Sequence, residues 1–361
     1  MDNRQGLLVV GATGAAATRL LDRARARPDL AVTGLSRRRP MGGAAGEPGG
    51  ETDWLAADLT DAAALRAALA ARPDITAIVY ASRAPHAETG VEDVPANLAM
   101  LRNLLDAAEA SLPRFRHIHV IQGGKWYGMH LGPFRTPARE DDPRHVPPNF
   151  YYDQQDLLAA RQVGQDAGRS WSTSRPNFVC DVAPGRARNM VSTLGAYAAI
   201  CRELGAPFDF PGKPGAWTAL LEVTDAALLA EGVLWMLDEP RCANRAFNLV
   251  NGDSFRWCDL WPVLAGEFGL PAGRPRPLPM ARWMADKAPV WERIRARHGL
   301  ALPLDQVASW DFADFFLGLD YDVMLSMNAA RRAGFTGFVD SREMVLAQIA
   351  GYRAARILPP G

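Results

Sequence analysis

The chain has 361 residues, 48% of them hydrophobic, enough to bury a large core and to form one nucleotide-binding domain with a smaller substrate-covering part. Forty basic residues balance forty acidic ones, and that balance argues against a nucleic-acid or membrane-surface partner, which would ask for a basic excess or stripe. The four cysteines, Cys180, Cys201, Cys242 and Cys258, show no Cys-x-x-Cys and no companion histidine spacing, so reduced thiols are expected. No apolar run reaches the roughly 20 residues of a membrane span, and Met1-Asp2-Asn3-Arg4 leads straight into a strand, so a cytoplasmic protein is expected.

Leu7 to Val10 reads as a buried parallel strand, and Ala15 to Ala24 carries a helical pattern, which opens a βαβ unit. Strands follow at Ala31 to Leu35 and, past a Gly/Pro-rich stretch, at Trp54 to Ala57. Asp58-Leu59-Thr60-Asp61 then caps an alanine-rich helix. Ile75 to Tyr80 is a fourth strand, Ala96 to Ala110 a helix, and His117 to Gln122 a fifth strand ending at Gly123-Gly124. The segment from Leu131 to Pro148, with five prolines, is a long loop. Tyr151 to Ala167 resumes a helix and Trp171 to Arg175 a sixth strand. Further helices fall at Asn189 to Leu204, Asp225 to Leu237 and Trp257 to Phe268, with a strand-like Ala246 to Val250. Strands alternating with helices at this interval predict an α/β fold, a doubly wound parallel Rossmann sheet with a smaller, mostly helical C-terminal part. The expected division is 1–185 plus 218–250 for the nucleotide domain, and 186–217 with 251–361 for the substrate cap.

Gly11-Ala12-Thr13-Gly14-Ala15-Ala16-Ala17 lies in the first strand-to-helix turn, where small residues and a helix N-terminus suit a pyrophosphate. At the end of the second strand stands Ser36-Arg37-Arg38 instead of an acidic residue, and guanidinium groups there favour NADP(H) over NAD by their fit to a 2′-phosphate. Asp58 and Leu59 are placed toward the adenine, while Ala81 and Ser82 are placed toward the pyrophosphate or nicotinamide ribose. Gln122, Pro176 and Phe178, flanking the catalytic segments, complete the cofactor candidates. His117 and His119 share a strand face without a third ligand, so no metal is expected.

The catalytic pattern departs from the usual short-chain dehydrogenase arrangement, in which tyrosine and lysine lie four residues apart on one helix. Here Gln155 follows Tyr151 by four, and Asp156 follows Tyr152 by four. Either the chemistry is lost or the lysine has moved, and Lys125, after the fifth strand, is the candidate.

Lys125 within Gly-Lys-Trp-Tyr, Gly132-Pro133-Phe134, Asn149-Phe150-Tyr151-Tyr152-Asp153, Ser174-Arg175-Pro176 and the run from Asn248 to Trp257 together resemble the progesterone 5β-reductase and iridoid synthase family, in order over nearly the whole chain. Trp126 stands where that family has histidine. The resemblance implies an extended short-chain dehydrogenase that uses NADPH to reduce the carbon–carbon double bond of enones and enals, with Lys125 and Tyr151 as its catalytic lysine and tyrosine. Hydride arriving at the β-carbon pushes charge onto the carbonyl oxygen, and Tyr151 would stabilise that enolate, made more acidic by Lys125. Tyr152 is expected to pack under the loop. Trp126, Phe134, Met190 and Trp217 are the expected substrate-lining residues of an apolar pocket, with Phe178 beside them. Two other readings stay open: a carbonyl reductase or sugar-nucleotide epimerase on the same fold, and a regulator that binds NADP without turnover. A small apolar substrate is the expected partner, and a homodimer is compatible with the sequence.

Overall fold

The computed structural model describes residues 4–38, 53–85, 92–163 and 168–361. Arg39, the Gly/Ala stretch after Pro40 and the expected end of the helix at Ala167 lie outside the described residues.

The nucleotide half follows the alternation of apolar runs and helical periods. Its elements are β1 (Gln5–Val10), α1 (Ala15–Arg25), β2 (Leu30–Ser36), β3 (Asp53–Ala56), α2 (Ala62–Ala70), β4 (Ile75–Tyr80), α3 (Val94–Ser111), β5 (His117–Ile121), α4 (Phe150–Val163) and β6 (Ser170–Arg175). The strand Arg245–Asn248 joins the edge beside β6, giving seven parallel strands in the order Arg245–Asn248, β6, β5, β4, β1, β2, β3. The order reverses between β1 and β4, so the crevice beyond their C-terminal ends is where such a sheet binds its ligand.

Alternation along the strands divides the core. Leu7, Val9, Ala77 and Val79 pack under α1 and under α6 (Ala226–Asp238), whereas Leu8, Val10, Ile78 and Tyr80 pack with side chains of α2, α3 and α4. A third apolar cluster, built on α5 (Met190–Leu204) and α7 (Trp257–Glu267), fills the C-terminal part, with the Phe208 and Trp261 rings stacked 4.4 Å apart. Asp61, not Asp58, caps α2, accepting from the backbone N–H groups of Ala63 and Ala64. Asp93 caps α3 in the same way through Ala96, which fixes the position of the preceding Glu92.

Polar side chains occupy one strip of this core. His117 and His119 point to the same face of β5 and alternate with serines of β6, each ring nitrogen 2.8 to 2.9 Å from the hydroxyl of Ser170, Ser172 or Ser174. Every imidazole nitrogen is satisfied, so this is a buried hydrogen-bonded ladder that zips two parallel strands. No helix among the described residues is long and apolar enough to cross a membrane.

Candidate active site

The phosphate loop is shaped by one close approach. Gly11 has φ of +78°, and a Cβ there would sit 2.6 Å from the Ser82 hydroxyl and 2.9 Å from the Ala81 backbone. Glycine is therefore required by conformation and by space. Gly14 enters α1 with no side-chain cap, leaving the first N–H groups of the helix available to an anion, and Thr13 and Ala15 flank it. Arg186 reaches across from the C-terminal side to donate to the Thr13 carbonyl.

At the other end of the crevice Arg37 and Arg38 are exposed at the tip of β2, with the Ser36 hydroxyl donating to the Arg38 carbonyl at 2.6 Å. Asp58 turns back on Thr60, accepting from its N–H and its hydroxyl, and these bonds with the nearby Arg37 hold its carboxyl below the usual range. Leu59 is buried. The glycine cradle, the uncapped helix and the exposed arginines are the features a dinucleotide with an additional phosphate requires.

Lys125 lies one turn beyond β5, on the short 3-10 helix Gly124–Tyr127, rather than at the strand end. Asn149 links it to Tyr151: its side-chain amide donates to the Lys125 carbonyl at 2.9 Å, and its oxygen accepts the Tyr151 N–H at 3.1 Å. Gln122 adds a third tie, donating to the Tyr151 carbonyl at 3.0 Å. The two segments carrying the reactive side chains are thus held together by buried amides. Gly123 then leaves the space that the phenol occupies, since a Cβ there would come 3.2 Å from the Tyr151 hydroxyl. The Pro176 carbonyl borders the same gap and accepts from Gly124 at 3.0 Å.

The Lys125 ammonium donates to Glu92 at 2.7 Å, and Arg83 lies 3.6 Å from the same carboxylate. Burial raises the Tyr151 phenol above its ordinary value; Glu92 adds to the rise and Arg83 opposes it. The expected acidification of Tyr151 by Lys125 is therefore corrected: here the carboxylate takes the ammonium, and the phenol stays protonated. His130 sits near the same charges, its pKa lowered by burial and by Lys125.

The position four residues after Tyr151, where a helical lysine would stand, has another task. Gln155 accepts from Arg175, which is 1% exposed and also donates to the Tyr127 hydroxyl at 2.9 Å. Asp156 pairs with Arg144 at the surface. Tyr152 donates to the Trp126 carbonyl at 2.6 Å and receives the His145 N–H, so it is a packing residue.

Trp126 also moves out of the substrate set. It is 3% exposed, with the Arg175 guanidinium 3.7 Å from its ring centre, Arg144 at 5.4 Å and Tyr152 edge-on at 4.8 Å. Those partners occupy the ring, leaving no face for a ligand. Met190 is buried at the start of α5, Trp217 is half-buried against Phe210, and Phe134 is half-buried between two apolar clusters. Phe178 holds a left-handed backbone, φ of +39°, and faces Phe312 and Phe315 at 6.4 and 5.9 Å. A non-glycine residue in that conformation stores strain, of the kind that collects at ligand clamps.

Residues 56–358 match the profile of the PRISE-like Rossmann-fold domain. The chain belongs to this family. An (S)-8-oxocitronellyl enol synthase of Nepeta racemosa is 36% identical over 316 residues, covering 85% of this chain and 79% of that protein. The 3-oxo-Delta(4,5)-steroid 5-beta-reductase of Arabidopsis thaliana is 35% identical over 322 residues, covering 85% and 81%. Among solved structures, a putative epimerase from Burkholderia cenocepacia superposes with a TM-score of 0.69 at 18% identity over 98% of this chain and 99% of that one, which shows the shared fold. This PRISE-like protein is an oxidoreductase of the short-chain dehydrogenase/reductase superfamily acting on a small molecule.

Sequence reasoning missed Glu92, Arg83 and Arg186 as site residues of this PRISE-like chain. Glu92 reaches Lys125, and Arg83 reaches Glu92, from the β4–α3 connection, a proximity set by strand order that carries no local signal. Asn149 could have been found, because asparagine ahead of an aromatic helical run has the signature of an N-cap. A cavity of about 410 Å³ opens at the opposite, N-terminal end of the strands, beside Gln5, Thr76, His117 and Ser170, away from all of these residues.

Proposed function

We propose that this protein is an NADPH-dependent reductase of the activated carbon–carbon double bond of an enone or enal, and that Tyr151 is the hydrogen-bond donor to the carbonyl oxygen. The observation that carries the reading is the position of the Tyr151 phenol beside Gly123, with the Tyr151 backbone tied by Asn149 and Gln122 at the C-terminal edge of β5. When bound, NADPH supplies the hydride that adds to the β-carbon. The charge that then develops on the carbonyl oxygen needs a preorganised donor, and a neutral phenol already held in place provides one without reorganisation. Lys125, held on the adjoining turn, is placed to bind the nicotinamide ribose and to add positive charge beside the enolate once it leaves Glu92.

Gly11, Thr13, Gly14 and Ala15 would hold the pyrophosphate, with Ala81 and Ser82 along the opposite wall and Arg186 above. Ser36, Arg37 and Arg38 would take the 2′-phosphate, Asp58 and Leu59 the adenine, and Gln122, Pro176 and Phe178 the nicotinamide side. Phe134, Met190 and Trp217, from the loop after β5 and from the C-terminal part, would shape the apolar cover that excludes water. In this reading residues 186–217 and 251–361 form the substrate cap.

Carbonyl reduction or epimerisation with a helical Tyr-x-x-x-Lys is disfavoured by Gln155, whose side chain is committed to Arg175. A regulator without turnover would have no use for the buried amide ties that bring Tyr151 to Lys125. The test is Tyr151→Phe, assayed with a panel of enones and enals. Turnover should fall by about a hundredfold to a thousandfold, as for loss of an oxyanion-hole donor, while NADPH affinity is retained. Unchanged turnover would remove Tyr151 from the mechanism.

A further inference from the structure

We infer that the substrate of this reductase carries an anionic group, a carboxylate attached to its apolar enone or enal body, and that Arg188, assisted by Arg83, binds it. The inference deepens the enone-reductase reading and rests on it for the identity of the reacting group.

Arg188 immediately precedes the Asn189 cap of α5. Its guanidinium lies 4.6 Å from the centre of the Phe312 ring. Phe312 faces Phe178, and Phe178 follows Pro176, whose carbonyl borders the Tyr151 hydroxyl gap. The guanidinium therefore lies on the aromatic wall that leads to the candidate catalytic residues. Among the described residues it has no carboxylate within ion-pair distance and no hydrogen-bond partner. Its neighbour in sequence, Arg186, is spent on the Thr13 carbonyl over the phosphate loop, so the two arginines serve different parts of the crevice.

Arg83 acts on Arg188 as a like charge, and Glu92 and Asp311 act as opposite charges. Glu92 is already shared between Lys125 at 2.7 Å and Arg83 at 3.6 Å. Among the described residues the carboxylates acting on Arg188 are Glu92, engaged by Lys125 and Arg83, and Asp311, and neither lies within ion-pair distance of the guanidinium. An arginine stacked on a ring keeps the N–H groups at its edge for a planar acceptor, and a carboxylate matches that fork with two parallel hydrogen bonds. Arg188 is exposed in the free protein, so a neutral substrate that covered it would remove water from the guanidinium and return nothing, which is costly for a charged group. A carboxylate would restore its hydrogen bonds and, by its fixed distance from the alkene, orient the β-carbon.

The test compares an enone carboxylic acid, (E)-6-oxohept-4-enoate, with its methyl ester in NADPH-dependent turnover, and the saturated keto acid 6-oxoheptanoate with its ester in calorimetric binding to the NADP⁺-loaded protein. The expected result is a kcat/KM at least tenfold higher for the acid, carried mainly by KM. In Arg188→Met this preference should disappear, and in Arg188→Lys part of it should return. Equal kcat/KM for acid and ester in the wild type, or a preference that survives in Arg188→Met, overturns the inference while leaving the enone-reductase reading standing. If neither enone is reduced, the binding arm decides: keto-acid binding that requires Arg188 upholds the anion site and sinks the reductase reading, whereas binding that is absent or indifferent to Arg188 sinks the site.

Discussion

At the scale of the residue, Asn149 bears more of the account than its polarity suggests. Asn149→Ala removes the acceptor of the Tyr151 N–H and the donor to the Lys125 carbonyl, two part-buried bonds made by a buried side chain. It should cost about 1–3 kcal/mol in urea unfolding, and it should also lower turnover in the protein that remains folded, because the phenol and the lysine turn lose their common anchor. Full turnover in folded Asn149→Ala would show that the two segments are positioned otherwise. Gly123→Ala is a sharper probe: the new methyl would stand 3.2 Å from the Tyr151 hydroxyl, so kcat should drop at least tenfold with little change in thermal stability. Tyr151 and Lys125 were legible in the sequence as two motif fragments, and the structure places them on adjoining segments. Their electrostatics were not legible. The lysine was expected to acidify the phenol, yet Glu92, thirty-three positions earlier, takes the ammonium and helps raise the phenol.

At the scale of the element, alternation and capping residues made most boundaries readable to within two residues, as for Ile75–Tyr80 and for the helix beginning at Ala15. The 3-10 turn Gly124–Tyr127 was not readable, because four residues after a strand carry no periodicity. Nor was the reuse of Gln155 as an anchor for Arg175, a contact between α4 and the end of β6. The β5–β6 ladder makes its own prediction. Burial holds His117 down to about 4 and His119 down to about 3. A folded-state pKa below the unfolded value of about 6.5 means that the unfolded chain takes up protons first as pH falls. Stability is therefore complete above about pH 6.5 and is lost progressively below it, by up to about 1.4 kcal/mol per pH unit for each histidine. Urea midpoints measured from pH 7.5 to 4.5 should show this slope, and His119→Gln should flatten it; an identical slope in that variant would assign the acid sensitivity elsewhere.

At the scale of the whole molecule, the sequence made the α/β class, the doubly wound parallel sheet and the family legible together, because the matching segments span both the sheet and the C-terminal part. Which surfaces meet over the crevice was not legible, since Arg186 and Arg188 act across elements far apart in sequence. The charge balance of the molecule is even, so a preference for NADPH has to be local, and we assign it to the exposed Arg37 and Arg38. Arg37→Ala/Arg38→Ala should weaken NADPH at least tenfold, in line with about 1.5–3 kcal/mol for charge-assisted hydrogen bonds, and barely alter NADH; equal loss of both nucleotides in fluorescence titration would contradict the 2′-phosphate assignment. The central claim is conjugate reduction, and it is tested most directly by following the hydride. With NADPH deuterated at the transferring position and cyclohexenone as substrate, NMR of the product should show cyclohexanone labelled at the former β-carbon. Cyclohexenol labelled at the carbinol carbon would place hydride attack on the carbonyl and contradict the account.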